Sequence, residues 1–552
     1  MSPTADRSAW MPRAALAGSI LLVVLLAGFG QMRLYYDYAW QLMSVRDYAR
    51  GDTASPFVMR SADHADLSRD RTEWTIGYPL AYNAVGAALT SVGLPASVAQ
   101  RVIAAGAVAL GLLGWHLVLA HCTALPPGWR AGALLAVGLS LNGAGMVSFM
   151  MPEVFLFTTV PWQMWALWHA TATNTPAAPR HGFGALLGLA TGLAYTFRYV
   201  GALHGLPLLV LAAGWLLWQR PRGWWSAGLV TALAAVVPVA WMSFLNYRHV
   251  GAINSTSSSL PWGITAHWPD LLQWLLVIAG PIQALFTSAV VFDRFAHWLG
   301  ETALGLSGFT SLKCLSLGLA LGPTVLAGLL VKCFAVRDRL LVAALAGFAG
   351  TMLGLLWLYS HSGLPQPDTR YSVAPALLLF PVLLGAIHAA LRSTPRWRLA
   401  VAVLVLPAAP ALLFAARAHQ LALAPVLHGR AGEIVAGGKI DPAALRATVA
   451  ARAGSDSSEV VWMCFQPSAL YVLDGRHVFE SYDGAPVTFR TQRPVTLVVL
   501  RDKAGSMHPS TYDNNYRYLD ITGRSPEFEH GDYDVFIRKV GADHSIAVPA
   551  TP

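Results

Sequence analysis

The chain has 552 residues, of which 55% are hydrophobic and only 12% charged, and its mean hydropathy is +0.48. A soluble domain carries about 25% charged residues, so composition excludes a purely soluble protein and predicts a polytopic α-helical membrane protein. The net charge of +9 does not imply nucleic acid, because basic residues of a membrane protein collect on loops and set orientation. The four cysteines, Cys122, Cys314, Cys333 and Cys464, are far apart and form no CxxC, which argues against a disulfide framework or a zinc site.

The first apolar run, Ala14 to Phe29, follows Arg7 and Arg13 and has no small-residue cleavage site behind it, so it reads as an uncleaved first helix. Further runs long enough to cross a bilayer lie near 98–120, 131–149, 154–171, 182–198, 202–218, 224–245, 312–333, 339–358, 371–391 and 399–416. The segment 271–290 is apolar enough to cross as well, which brings the expectation to about 11–13 transmembrane helices. One set of connections carries Arg7, Arg13, Arg130, Arg180, Arg220, Arg222, Lys332, Arg337, Arg339, Arg392, Arg396 and Arg398. The alternate set carries few basic residues beyond Arg198, Arg248 and Arg370. That alternation puts the N-terminus in the cytoplasm, and the loop 32–97 and everything after 416 outside.

The loop 32–97 mixes Arg33, Arg46, Arg50, Arg60, Arg69 and Arg71 with Asp37, Asp47, Asp52, Asp63, Asp66, Asp70 and Glu73. Its apolar second half, Trp74 to Val92, reads as an interfacial helix started by the Gly77-Tyr78-Pro79 turn. The expected domains are a transmembrane domain 1–420 that includes this loop, a soluble extracytoplasmic α/β domain 421–546, and a disordered tail 547–552. Within the soluble domain DPAALRATVAARAG reads as a helix, and VVWMCF, HVFE, VTLVVL and YDVFIRK read as strands. No internal repeat is visible, which weighs against an inverted-repeat transporter.

Asp37 follows the first membrane run among Tyr35, Tyr36, Tyr38 and Trp40, rings suited to the interface. An acid at that depth is costly unless it is paired, hydrated or used. It either pairs with Arg33, four residues back, or acts as a general base. Glu153, in the connection Met150-Met151-Pro152-Glu153, either sits favourably at a helix N-terminus or supports Asp37. These two carboxylates leave a divalent cation open as a cofactor, but two are few for a metal site, so no resident metal is expected. Arg198, Arg248 and Arg370 each lie at an outer helix end, where an arginine meets lipid headgroups or clamps a phosphate. Arg370 is the first choice for the clamp, with Tyr371 and His361 near it in the chain. Tyr38, Trp40, Trp74 and Tyr78 are candidates for lining a substrate cavity. The histidines lack metal-ligand spacing, and neither a phosphate-cradling glycine loop nor a nucleophile elbow occurs.

Three stretches together resemble the GT-C superfamily of integral-membrane glycosyltransferases, in the branch of protein mannosyltransferases and aminoarabinose transferases. They are YYDYAWQLMSVRDYARGD, EWTIGYPLAYNAVGAALTSVGLPASVAQRV, and the helix starts MPEVFLFTTVPWQMWALW and DTRYSVAPALLLFPVLL. The resemblance covers roughly residues 14–420. It implies transfer of a sugar from a polyprenyl-phosphate-linked donor to a hydroxyl of a glycan, lipid or protein acceptor, at the outer face of a bacterial inner membrane. Asp37 would be the catalytic acid of the first outer loop and Glu153 that of the second, with Arg370 near the lipid phosphate. Many relatives carry two adjacent acids where this chain has Asp37-Tyr38, and the double proline frequent in the family is missing from WTIGYP. A transporter or lipid flippase, and a non-catalytic membrane scaffold, are the competing readings. Against the transporter, the acids sit at helix ends rather than in mid-helix.

Overall fold

The computed structural model describes residues 10–34, 36–63, 65–74, 79–140, 144–149, 154–253, 298–306, 309–335, 339–362, 373–406, 408–436, 440–453, 460–464, 466–478, 490–503 and 525–540, with a few helical positions between 275 and 285. Within helices, some side chains are also outside the description, those of 36–38 and 358–362 among them.

In chain order the elements are α1 (Trp10–Phe29), β1 (Met32–Arg33), α2 (Tyr36–Ala49), β2 (Val58–Asp63), β3 (Asp66–Trp74), α3 (Ala81–Ser91), α4 (Ala96–His121), α5 (Pro127–Leu139), α6 (Gly145–Phe149), α7 (Val154–Ala170), α8 (Ala177–Phe197), α9 (Gly201–Gln219) and α10 (Trp224–Val250). A short π-helical turn at Leu299–Ala303 precedes α11 (Phe309–Phe334), α12 (Arg339–Ser362), α13 (Val373–Leu391), α14 (Pro395–Val405) and α15 (Ala408–Leu423). The C-terminal elements are β4 (Ile434–Val435), α16 (Pro442–Ala453), β5 (Val460–Cys464), α17 (Pro467–Leu473), β6 (His477–Val478), β7 (Val495–Asp502), β8 (Phe528–His530) and β9 (Tyr533–Val540).

Among the described residues, the expected membrane runs other than 271–290 lie mainly on helix. Six described helices are long and apolar enough to cross a membrane: Trp10–Phe29, Ala96–His121, Gly201–Gln219, Trp224–Val250, Arg339–Trp357 and Val373–Leu391. Two expected runs are divided. The run 131–149 breaks after Ser140, ahead of Asn142-Gly143, a dipeptide that favours a turn. The run 399–416 is divided between α14, which ends at Val405, and α15, which starts at Ala408; Pro407, a residue type that lacks the N–H to continue a helix, lies between them in the sequence. Most of 271–297, the segment with an open number of crossings, lies outside the described residues.

The chain forms two compact units: Met1–Gly30 with Arg101–Ala431, and Gln31–Gln100 with Gly432–Pro552. In the first unit, helices approach closely where glycine replaces a side chain. Gly184, Gly188 and Gly192 form a stripe on α8 against α10. A Cβ added at Gly188 would lie 2.1 Å from the Thr231 carbonyl oxygen, and one at Gly192 would lie 2.6 Å from that of Ala235. The order of these contacts makes α8 and α10 parallel. Gly350 and Gly354 of α12 meet Pro207 and Leu203 of α9 in the reverse order, so that pair is antiparallel. Lipid tails offer no hydrophobic drive for helices to associate, so such close packing and interhelical polar contacts hold the bundle together.

The second unit is built on a five-stranded sheet of order β6-β5-β7-β9-β8. β5 is parallel to both β6 and β7, while β9 runs antiparallel to β7 and β8. All five residues of β5 are buried, as expected of a strand covered on both faces. Alternate residues serve two cores. Val460, Trp462 and Cys464 pack with Leu445 and Val449 of α16, Leu470 of α17, and Met43 and Met59 from the first loop. Val461 and Met463 pack with Leu497, Val499 and Phe536, and with Ala62 and Leu67 of the β2–β3 hairpin. Residues 31–100 therefore share both cores with the C-terminal segment. β1 and β4 pair as well, in parallel, with Met32 opposite Ile434.

Candidate functional site

The candidate site begins with α2, whose first turn contains Asp37 and Tyr38. The helix is fixed from several sides. Ala39, Leu42, Met43 and Val45 are buried, and the Gln41 amide donates to the Pro79 carbonyl at 3.2 Å. α3 lies against it through Gly86, where an added Cβ would come within 2.9 Å of Val45 Cγ2. Trp40 is half-buried against the first core, and Trp74 closes β3 opposite Val58 with its ring 5.5 Å from that of Phe57. The expected helix over Trp74–Val92 thus differs in its start: Trp74 belongs to a strand, and the helix begins at Ala81, after Pro79 and Leu80.

The mixed charges of the first loop are spent on one another and on the C-terminal segment. Arg50 reaches Asp474 with two nitrogens, at 2.7 and 2.8 Å, and Arg46 joins the same carboxylate at 3.0 Å. Arg46 also donates to the Tyr471 carbonyl at 3.0 Å and lies over the Tyr471 ring. Arg60 pairs with Asp70 and, at 3.2 Å, with Asp52, while Arg476 donates to Asp70 at 2.9 Å. Hydrogen bonds from Arg50, reinforced by the charge of Arg46, hold the Asp474 carboxyl below its ordinary value against the opposing effect of burial. Burial would raise Asp70, but hydrogen bonds from Arg60 and Arg476 outweigh it and hold that carboxyl low too. Asp47 goes the other way. Burial raises it, and the Arg46 charge and the Arg60 N–H, 3.2 Å from Oδ2, offset this only in part.

The arginines on helix ends belong to the first unit. Arg198 caps α8 in extended backbone, its N–H donating to the Ala194 carbonyl at 3.0 Å, and its side chain is buried. Arg248 lies in the last turn of α10 and is exposed. The parallel packing of α8 on α10 brings these two ends together. Tyr199, next to Arg198, shares a hydrogen bond with Asn246, two residues before Arg248. Asn246 is fully buried and donates to the Ile253 carbonyl at 2.9 Å, which ties down the chain leaving α10. Phe155 at the start of α7 stacks on Phe197 at the end of α8, with ring centroids 3.9 Å apart. Glu153 precedes that start by one residue in the sequence.

Of the other expected site residues, Glu153, Tyr78, Arg370 and Tyr371 lie outside the described residues. Asp37 and Tyr38 lie in α2 and His361 in the last turn of α12, but their side chains are not described. Among the described residues, no three His, Cys, Asp or Glu side chains converge as metal ligands would. Two residues of this end were not singled out from sequence. Arg101, buried in α4, donates to the Ala27 and Gly30 carbonyls at 2.9 and 3.1 Å and so caps α1. Asn246 lies inside LNYRHVG, two residues before Arg248. A polar residue immediately before the last turn of an apolar helix is the signal the sequence carries for it.

The other ends of the same helices gather elsewhere. His121 and His169 have ring centroids 5.8 Å apart, Trp129 and His388 5.0 Å, and Phe334 and Trp397 5.0 Å. The turns at this end carry Arg130, Arg180, Arg220, Arg222, Lys332, Arg339, Arg392, Arg396 and Arg398. The first unit thus has a basic end, and Arg198 and Arg248 lie at the opposite one.

This is a polytopic helical membrane protein with a small C-terminal unit built on a mixed sheet. The fold is similar to that of ArnT from Cupriavidus metallidurans bound to undecaprenyl phosphate, with a TM-score of 0.53 and 15% identity over 98% of this chain and 99% of that one. The apo state of the same protein gives a TM-score of 0.51 and 14% identity over the same shares. The arabinofuranosyltransferase AftD from Mycobacteria aligns at a TM-score of 0.49 and 18% identity, over 97% of this chain and 40% of that one. No family model matches the sequence, and no curated protein sequence matches it.

Proposed function

We propose that the chain is a membrane glycosyltransferase that moves a sugar from a polyprenyl-phosphate-linked donor to an acceptor hydroxyl of a glycan, lipid or protein. The observation that carries this reading is the alignment along both whole chains with a structure that holds undecaprenyl phosphate. Asp37 is the general base. Its carboxylate takes the acceptor proton as the acceptor oxygen attacks the anomeric carbon, the bond from that carbon to the phosphate oxygen breaks, and polyprenyl phosphate leaves. A single attacking step of this kind inverts the anomeric centre.

The departing phosphate gains charge, and fixed guanidiniums stabilise that change most when water is excluded. Arg370, Arg198 and Arg248 serve there, with Glu153 orienting the acceptor or Asp37. Tyr38, Trp40, Trp74, Tyr78, Tyr371 and His361 line the sugar and acceptor path. The helix end of Arg198 and Arg248 faces the extracytoplasmic side of a bacterial inner membrane, since the basic end belongs in the cytoplasm. The N-terminus is then cytoplasmic and the C-terminal segment extracytoplasmic.

The test uses the purified protein in lipid with a panel of labelled polyprenyl-phosphate sugars. Wild type releases polyprenyl phosphate from one of them, and Asp37→Asn, with unchanged melting temperature, is slower by roughly 10²–10⁴-fold. Full turnover by the Asn variant would remove Asp37 from the chemistry. If neither protein binds any donor of the panel, the glycosyltransferase reading itself falls.

A further inference from the structure

The basic end of the first unit contains a cavity of about 590 Å³ that the proposed chemistry does not use. Trp168 of α7, the turn residues Ala172, Thr173 and Asn174, Trp215 and Gln219 of α9, and Arg339 and Val342 in the first turn of α12 line it. The lining therefore combines one guanidinium, three neutral hydrogen-bonding side chains and two half-buried indoles, with no acid among the described residues. Behind one wall, the fully buried Arg180 donates to the Ala172 and Thr175 carbonyls at 3.1 and 2.5 Å. It pins the turn that carries Thr173 and Asn174 and adds a second positive charge near the cavity. The amide groups of the first turn of α12 contribute the positive end of a helix dipole on the same side as Arg339.

We propose that this cavity seats the phosphate headgroup of an anionic phospholipid from the leaflet at the basic end. A guanidinium at a helix start offers paired donors to phosphate oxygens. Thr173, Asn174 and Gln219 match the hydroxyl and ester oxygens of a glycerol headgroup. Trp168 and Trp215 match the level where headgroup meets acyl chain, the depth at which indoles settle in membranes. A free inorganic anion would need the guanidinium but neither indole nor Val342. Basic pockets between membrane helices are a general means of holding such headgroups. The assignment does not rest on the glycosyltransferase reading, because the cavity lies at the end opposite Arg198 and Arg248.

The experiment is native mass spectrometry of the full chain. The protein is incubated with equal amounts of phosphatidylglycerol and phosphatidylcholine of identical acyl chains. Wild type retains phosphatidylglycerol in preference. Arg339→Gln lowers that preference roughly fivefold, the worth of one basic side chain near an anionic surface. Arg339→Lys keeps part of it. Arg396→Gln, at the same end but not lining the cavity, leaves it unchanged. Equal losses in Arg339→Gln and Arg396→Gln would mean diffuse attraction and overturn the site. Displacement of the lipid by millimolar inorganic phosphate would mark a free-anion site and overturn it too. Melting temperatures in phosphatidylcholine establish that each variant is folded. If Arg339→Gln is not, Trp215→Leu takes its place, and undiminished lipid retention by that variant counts against the proposal.

Discussion

Arg46 and Arg50 meet the Asp474 carboxylate together, yet their surroundings differ. Arg46 is nearly buried and also serves the Tyr471 carbonyl, whereas Arg50 is half exposed. Removing Arg46 strands a partly buried carbonyl and thins the packing on the Tyr471 ring, while removing Arg50 costs an ion pair that water already screens. Arg46→Ala is therefore expected to destabilise the second unit by about 1–3 kcal/mol, and Arg50→Ala by under about 1 kcal/mol. Thermal unfolding in lipid discs, read by the fluorescence of that unit, separates the two. His477 supplies a pH dependence. It is buried with Nδ1 at 3.0 Å from the Gly475 carbonyl, and burial pushes it down from 6.5 to about 4. The folded state thus binds fewer protons than the unfolded one below pH 6.5. The stability this histidine contributes is complete above that pH and is lost as pH falls toward 4. The acids Asp70 and Asp474, held under 3.8, lose their share only at lower pH. In His477→Asn the decline in melting temperature between pH 6.5 and 4 is expected to flatten. An unchanged slope would assign that window to other groups.

At the scale of elements, the glycine stripe of α8 is the feature most sensitive to a small change. An added methyl at Gly188 meets backbone, which cannot swing aside as a flexible side chain can. Gly188→Ala is expected to cost about 1–3 kcal/mol and to lower the melting temperature in detergent. Gly228, which faces open space on α10, should accept alanine without loss. If the two variants melt alike, α8 and α10 are not locked through this stripe. The elements also differ in how far they could be read from sequence. Membrane helices announce themselves by apolar length alone, and β5 and β7 are short continuous apolar runs, so these were legible. The hairpin of β2 and β3 was not. Its sequence carries Arg60, Asp63, Asp66, Arg69, Asp70, Arg71 and Glu73, and such a run resembles a solvated loop. Its side-chain partners Arg476 and Gln492 lie some four hundred positions away. α17 was hidden for a related reason: seven residues between two strands are too few to show a helical period.

For the whole molecule, the informative fact is that residues 31–100 and 432–552 make one unit. Two segments that share a strand pair and two cores must lie on the same side of a membrane. A membrane-spanning chain between them has to cross an even number of times. Of the candidate site, the sequence made legible the helix ends and the residue types on them. The tie of α2 to the C-terminal segment was not legible, because it depends on non-local partners of Arg46 and Arg50 rather than on any local pattern. A chain ending at Ala431 should keep its bundle yet become open to proteolysis within 50–75. The full-length protein should resist, and equal cleavage of both would mean that the loop holds itself together.

This division of labour has a consequence for how the protein is made. The first loop is synthesised before its partner by the whole length of the intervening helices. At roughly 5–20 residues per second, that interval is on the order of half a minute. Throughout it, Met43, Met59, Ala62 and Leu67 have no core to enter, and the hairpin presents unpaired edges. A chain truncated late in its sequence would leave its earliest loop without the core it packs into, and so open to proteases.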